Sequence, residues 1–235
     1  MSRQSGVLRR LIKVSAVALG AGLVVTACSP VKLGAAAIVG NDRITIATLD
    51  TEVTNLSQTV KLYPGTVQLS QEQLTQQTLT WLIRFEINDE LARQAGITVS
   101  TAESQKALDE IYAAAKSSAQ AQGIRNVTLN LILVANGIPP NQREEVGRYQ
   151  AIDDAFLKQA NGGTTPASGS PAGNAAAAKL TKARCVAAKA LNIKVNPQFG
   201  QLNYNQIAIV TAPSSVSRPP GPAKATSQAG LSPNC

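Results

Sequence analysis

Apolar residues along most of this chain recur at helical spacing, with short extended runs near its two ends. Leu49, Val53, Leu56 and Val60 stand four, three and four residues apart and mark one face of a helix over residues 48–61, which Tyr63-Pro64-Gly65 ends. Ser70-Gln71-Glu72-Gln73 has capping-box spacing: the serine oxygen accepts from an early helix N–H, and Gln73 reaches back to the cap. The long helix it opens carries Leu74, Leu82, Phe85, Ile87 and Leu91 on a broad apolar face and stops where Gly96 offers a left-handed cap. After the extended link Ile97-Thr98-Val99, Ser100-Thr101-Ala102-Glu103 repeats the box. It predicts a helix to residue 122 with Ala107, Leu108, Ile111 and Ala115 on one face.

Residues 129–134 are a dense apolar run of ambiguous period, but Asn136-Gly137 and Pro139-Pro140 behind it suit a helix that stops and restarts. Over 141–160, Val146, Tyr149, Ile152, Phe156 and Leu157 fall on one side with charges opposite. Residues 161–174, NGGTTPASGSPAGN, hold too few apolar groups to offset ordering entropy and read as a flexible linker; 175–191 resume a helix. Residues 35–46 read as a small hairpin turning at Gly40-Asn41-Asp42. Residues 192–197 and 206–210 read as short extended segments placed to return to that hairpin, and 211–235 as a disordered tail. The expected architecture is mainly α: one helical domain over 35–210, a β-hairpin at its start, and a returning helix and strand at its end.

Composition agrees. Of 235 residues 44% are apolar but only 3% aromatic, which suits helices packed through small aliphatic side chains rather than a sheet sandwich, and the length supports one core. The formal charge is +8, yet Arg3, Arg9, Arg10 and Lys13 all precede a short apolar run, residues 14–25, that ends in Thr26-Ala27-Cys28. That order is an export signal, and the run is too short for a hydrocarbon core that needs about 20 apolar residues. Removing those four cations leaves 18 against 14 acids, a net +4 spread over mixed-sign surface, so nucleic acid is not an expected partner.

Val25-Thr26-Ala27-Cys28 resembles the bacterial lipobox. The resemblance implies cleavage between Ala27 and Cys28, lipid on the Cys28 sulfur, a short tether over 28–34, and a membrane partner reached through that lipid. Export in turn makes Cys185 and Cys235 candidates for a disulfide closing a loop of about 50 residues. A small buried thiol at Cys185 is the alternative, and sequence does not choose between them.

Two stretches, AAAIVGNDRITIATLDTEV and WLIRFEINDELARQAGITVSTAESQKAL, resemble the opening hairpin and hallmark helix of the N-terminal domain of SurA and of PrsA-type extracytoplasmic foldases. LILVANGIPPNQREEVGRYQAIDDAFLK and ALNIKVNPQFGQLN resemble the hinge, closing helix and strand that follow. The resemblance implies a SurA/PrsA-type helical domain and a lipid-anchored chaperone or holdase on the outer face of the cytoplasmic membrane, with unfolded secreted proteins as partners. A parvulin domain needs about a hundred residues, and only the linker at 161–174 stands at its usual place. With no His in the chain, prolyl isomerase activity is not expected. The alternative is an envelope scaffold that binds one specific partner; a contiguous exposed apolar patch favours the chaperone, and a polar cleft favours the scaffold.

The lack of His also removes Ser-His-Asp and Cys-His catalysis and most zinc sites, so no enzyme, metal site or cofactor is expected. Glu86, Asp89 and Glu90 are within a turn of one another, but Arg84 and Arg93 stand at helix-pairing distance, so they read as a solvated face; Glu144-Glu145 and Asp153-Asp154 read the same way. Asn126-Val127-Thr128 fits a glycosylation sequon that export from a bacterium makes accidental. Trp81, Leu82, Phe85, Tyr112 and Tyr149 are candidates for client contact, each weighed against a plain core role, and none is assigned.

Overall fold

The structure is a computed structural model that describes residues 33–64 and 68–211. The expected signal segment over 1–27, Ala27 and Cys28 at the cleavage site, most of the tether, Cys235 and the tail beyond Thr211 lie outside the described residues.

Strand β1 (Ala35–Val39) and strand β2 (Asp42–Thr45) form the expected hairpin, with Gly40 at φ 61° supplying the left-handed residue of the turn. Helices α1 (Ile46–Val60), α2 (Gln71–Ala95), α3 (Thr101–Ala121) and α4 (Leu129–Ala135) follow. A 3₁₀ turn at Pro140–Gln142 then leads into α5 (Arg143–Ala160) and α6 (Pro171–Ala190). Strand β3 (Lys194–Val195) pairs antiparallel with β1, making a three-stranded sheet in the order β2-β1-β3. Strands β4 (Gln201–Asn203) and β5 (Ala208–Val210) form a separate antiparallel pair. The chain is mainly helical with a small antiparallel sheet, and the end of α6 and strand β3 behind it return to the first hairpin.

Both capping boxes form as read: Ser70 with Gln73 opens α2 and Ser100 with Glu103 opens α3. Gly96, at φ 66°, closes α2 while the Ile97 N–H donates to the Ala92 carbonyl. Central strand β1 is covered on both sides, which is why it reads as a near-continuous apolar run with Ala35, Ala36, Ala37 and Val39 fully buried. The hairpin tip docks on the end of α6, where the Gly40 N–H donates to the Leu191 carbonyl at 2.7 Å.

Helix α2 is the axis of the domain and packs against α1, α5, α6, β1 and β5. Its buried residues include the consecutive Thr78, Leu79 and Thr80 as well as Ile83, Ile87, Asn88 and Leu91, so it is enclosed around most of its girth rather than along one apolar face. The main core joins β1, α1, α2 and α6 with Ile152 of α5. A smaller cluster of Phe85, Leu108, Leu133, Ile138 and Val146 fills the space between α2, α3, α4 and α5. There α3 and α5 approach closely at Gly147, where an added Cβ would stand 2.5 Å from the Ser104 carbonyl oxygen.

Two segment expectations change. Helix α6 starts at Pro171 rather than at residue 175, because Ser170 caps it, accepting from the Gly173 N–H, and proline suits its first turn; residues 161–170 run as turns, with the Asn161 amide on the Thr164 carbonyl. The run 206–210 does not reach the hairpin: its first half is turn, and β5 pairs with β4 and rests on α2 through an Ile209 N–H bond to Thr80 Oγ1 at 2.8 Å.

Candidate functional site

The aromatic candidates separate. Trp81 and Phe85 of α2 and Tyr149 of α5 form one cluster, with ring centroids 5.7, 5.7 and 6.2 Å apart. Phe85 is buried, while Trp81 and Tyr149 are half-buried. Trp81 donates its indole N–H to the Asn136 carbonyl at 2.9 Å and carries the Arg84 guanidinium 5.1 Å from its ring. Leu82 packs against the main core instead, and Tyr112 donates its hydroxyl to the Val127 carbonyl with Lys116 over its ring.

Beside Trp81 runs a groove of about 390 Å³ between α2, the α4–α5 turn and β5, lined chiefly by Gln73, Gln76, Gln77, Trp81, Arg84 and Asn136. Its walls are four side-chain amides, the Arg84 guanidinium, the Trp81 indole and the Thr80 hydroxyl, with Ala208 and Ile209 adding an aliphatic patch from β5. At Arg84 it meets a smaller cavity of about 220 Å³ lined by Arg84, Ile87, Tyr149, Arg184, Gln206 and Ile207.

The two arginines of that cavity are held from different sides. Arg84 donates from Nε to the Ile207 carbonyl at 2.8 Å and from Nη2 to the Gln206 carbonyl at 3.1 Å. Ile207 takes φ 46°, a left-handed conformation that a β-branched residue rarely adopts, so Arg84 fastens a strained turn. Arg184 of α6 donates from Nη2 to Asp153 and from Nε to Asn88 Oδ1 at 3.3 Å, and its guanidinium lies 4.7 Å from the Tyr149 ring. Asn88, buried in the middle of α2, completes the network by donating to the Tyr149 carbonyl at 2.9 Å. Burial, with Arg184's charge adding to it, lowers the Arg84 pKa, and burial raises that of the Tyr149 phenol.

Asp153 therefore departs from the expected solvated face. It is buried, and burial raises its pKa to about 6 although the Arg184 guanidinium pulls the other way. A signal for this lies in the sequence: Asp153 follows Val146 by seven residues and Tyr149 by four, which puts it on the apolar side of α5. Arg84 likewise does not pair with the α2 carboxylates. Glu90 pairs with Arg93, Asp89 with Arg148 of α5 at 2.8 Å, and Glu86 is pushed up by burial and by the charges of Asp42, Asp89 and Glu145.

Of the cysteines, Cys185 is disulfide-bonded, and its partner is outside the described residues. Among the described residues no group of three or more His, Cys, Asp or Glu stands close enough to hold a metal ion, and no helix is long and apolar enough to cross a membrane. Comparison of the chain with protein-family models, with curated proteins and with solved structures finds no match in any of the three.

Proposed function

We propose that this chain is a lipid-anchored protein of the outer face of the cytoplasmic membrane whose helical domain binds one specific polypeptide partner along the α2 groove, without catalysis. The observation that carries this reading is the chemistry of the groove. Glutamine and asparagine amides and the Arg84 guanidinium offer directional hydrogen bonds beside the face of the half-buried Trp81 ring, and these discriminate among partners because a mismatched partner leaves them unsatisfied.

The second reading is the SurA/PrsA-type holdase. The element order favours it: hairpin, helix, long helix, helix, hinge, helix, then a helix and strand that return to the hairpin. Holding many unfolded clients calls for a contiguous apolar surface, and the large apolar side chains exposed among the described residues are Leu33, Leu62, Ile124 and Val186, each on a different segment. That distribution puts the specific-partner reading first.

A photo-crosslinking residue at Gln77 in the full chain, activated in intact cells, tests both. One discrete adduct is expected. A ladder of many adducts, together with suppression of client aggregation by the purified protein, would establish the holdase instead; no adduct at all removes both. For the anchor, Cys28→Ala is expected to abolish labelling by an alkynyl fatty acid and to release the chain from the membrane fraction.

A further inference from the structure

The Arg84–Arg184 cavity holds charge that the fold itself does not consume. Each guanidinium uses Nε and one Nη on protein acceptors, and for the remaining Nη1 of either there is no acceptor among the described residues. Asp153 balances Arg184, while Arg84 is met by carbonyl dipoles alone. The cavity lining thus carries one net positive charge and two N–H₂ groups, one from α2 and one from α6, that no acceptor among the described residues uses. Bringing like charges together in a partly desolvated space is unfavourable unless an anion joins them, and guanidinium donors match the paired oxygens of a carboxylate.

We infer that this cavity is a binding site for a single carboxylate, held between Arg84 and Arg184 with its carbon chain against Ile87 and Ile207. The charge balance favours a monoanion, since a phosphate dianion would exceed the one uncompensated cation. Shape agrees: Tyr149 and the two isoleucines wall the cavity with ring and aliphatic surface, and about 220 Å³ accommodates a carboxylate with a short side chain. Strain points to the same place, because the turn that closes the cavity holds Ile207 left-handed and is fastened by the arginine that would meet the ligand. The site depends neither on export nor on a polypeptide partner in the groove.

Trp81 is the chain's single tryptophan and stacks on Arg84, so its fluorescence reports on the cavity directly. The full chain is titrated at pH 7 with N-acetyl-alanyl-alanine, with the same dipeptide as its C-terminal amide, with N-acetyl-aspartate amide, with propionate and with inorganic phosphate, and each is confirmed by calorimetry. The free acid is expected to give a saturable change and the amide to bind at least about tenfold more weakly, the loss expected for a charge-assisted hydrogen-bonded pair. Arg84→Lys and Arg184→Lys keep the charges but remove the fork, and each is expected to weaken the acid by about tenfold with the far-ultraviolet spectrum unchanged. Tightest binding by the dipeptide acid identifies a chain terminus as the source, by the aspartate derivative an acidic side chain, and equal binding by propionate a small organic acid; all three support the site. Equal affinity for acid and amide overturns it without any variant, as does phosphate binding tighter than every carboxylate, or no carboxylate binding up to about 10 mM.

Discussion

Asp153 and Arg184 show how much of this domain turns on single charged residues. With the Asp153 carboxyl held near 6 by burial, the folded chain retains that proton more tightly than the unfolded chain, whose carboxyl titrates at an ordinary value near 4. Its stabilising contribution is therefore complete below about pH 4 and is lost as pH rises through about 6. The groups facing it are Arg184 on α6 and Asp154 on its own helix, with the Asn88 amide beside it. Comparing wild type with Asp153→Asn by thermal melts across pH 4 to 7 isolates this proton, since Glu90 and Glu103, whose pKa values are lowered by hydrogen bonds from Arg93 and Ser100, contribute equally to both proteins. Wild type is expected to lose on the order of 2 kcal/mol relative to the variant over that window, and a flat difference would show Asp153 to be solvated after all. Arg184→Met should cost about 3 kcal/mol at pH 7, where it strands a buried carboxylate, and less at pH 5, where that carboxyl takes up a proton. Reading Asp153 from sequence as half of a solvated pair gives weight to its neighbour Asp154 and too little to its spacing from Tyr149. The Arg84 bonds to the Gln206 and Ile207 carbonyls, by contrast, join residues more than a hundred positions apart and leave no local pattern to find.

Elements whose ends are set by local chemistry are legible in the sequence. Both capping boxes, the Gly96 stop and the Gly40 turn follow from side chains within a few residues of the backbone groups they satisfy. Replacing Ser70 by Ala is expected to cost about 1 kcal/mol by urea denaturation, because the cap satisfies an otherwise orphaned N–H at the start of the central helix. The enclosure of α2 is less legible, since a helix packed on several sides interleaves Thr78, Thr80 and Asn88 with its leucines and blurs the apolar stripe. The close crossing of α3 and α5 leaves no trace in the hydrophobic pattern, because Gly147 looks like a helix-weakening residue with no visible purpose. Its purpose decides a sign. Helix propensity alone would make Gly147→Ala stabilising by up to about 1 kcal/mol. The Ser104 carbonyl stands where the new Cβ must go, so the variant is expected instead to destabilise by about 1–3 kcal/mol, read from the denaturation midpoint. A more stable variant would mean the two helices slide apart at no cost.

At the scale of the whole molecule the two ends of the described chain hold each other. Strand β1 sits between β2 and β3, the Asn196 N–H donates to the Ala36 carbonyl, and its side-chain amide donates to the Ala35 carbonyl at 3.2 Å. Such closure brings residues 161 positions apart into one sheet, which composition and periodicity suggest only as a returning segment without a register. The disulfide at Cys185 extends the same question to residues the structure does not describe, and its partner bears on where the protein works. The chain has three cysteines, and the proposed lipid on the Cys28 sulfur would leave Cys235 as the only other thiol within the same molecule. On that proposal, non-reducing peptide mapping of protein purified from its native source is expected to recover a Cys185–Cys235 linkage, with the two thiols having given up their protons and two electrons to a disulfide-donating oxidoreductase outside the cytoplasm. Recovery of Cys185 linked to Cys28 would be decisive against the anchor, because a sulfur joined to another sulfur is not available for a thioether, and the export reading would then have to stand on the N-terminal charges and apolar run alone.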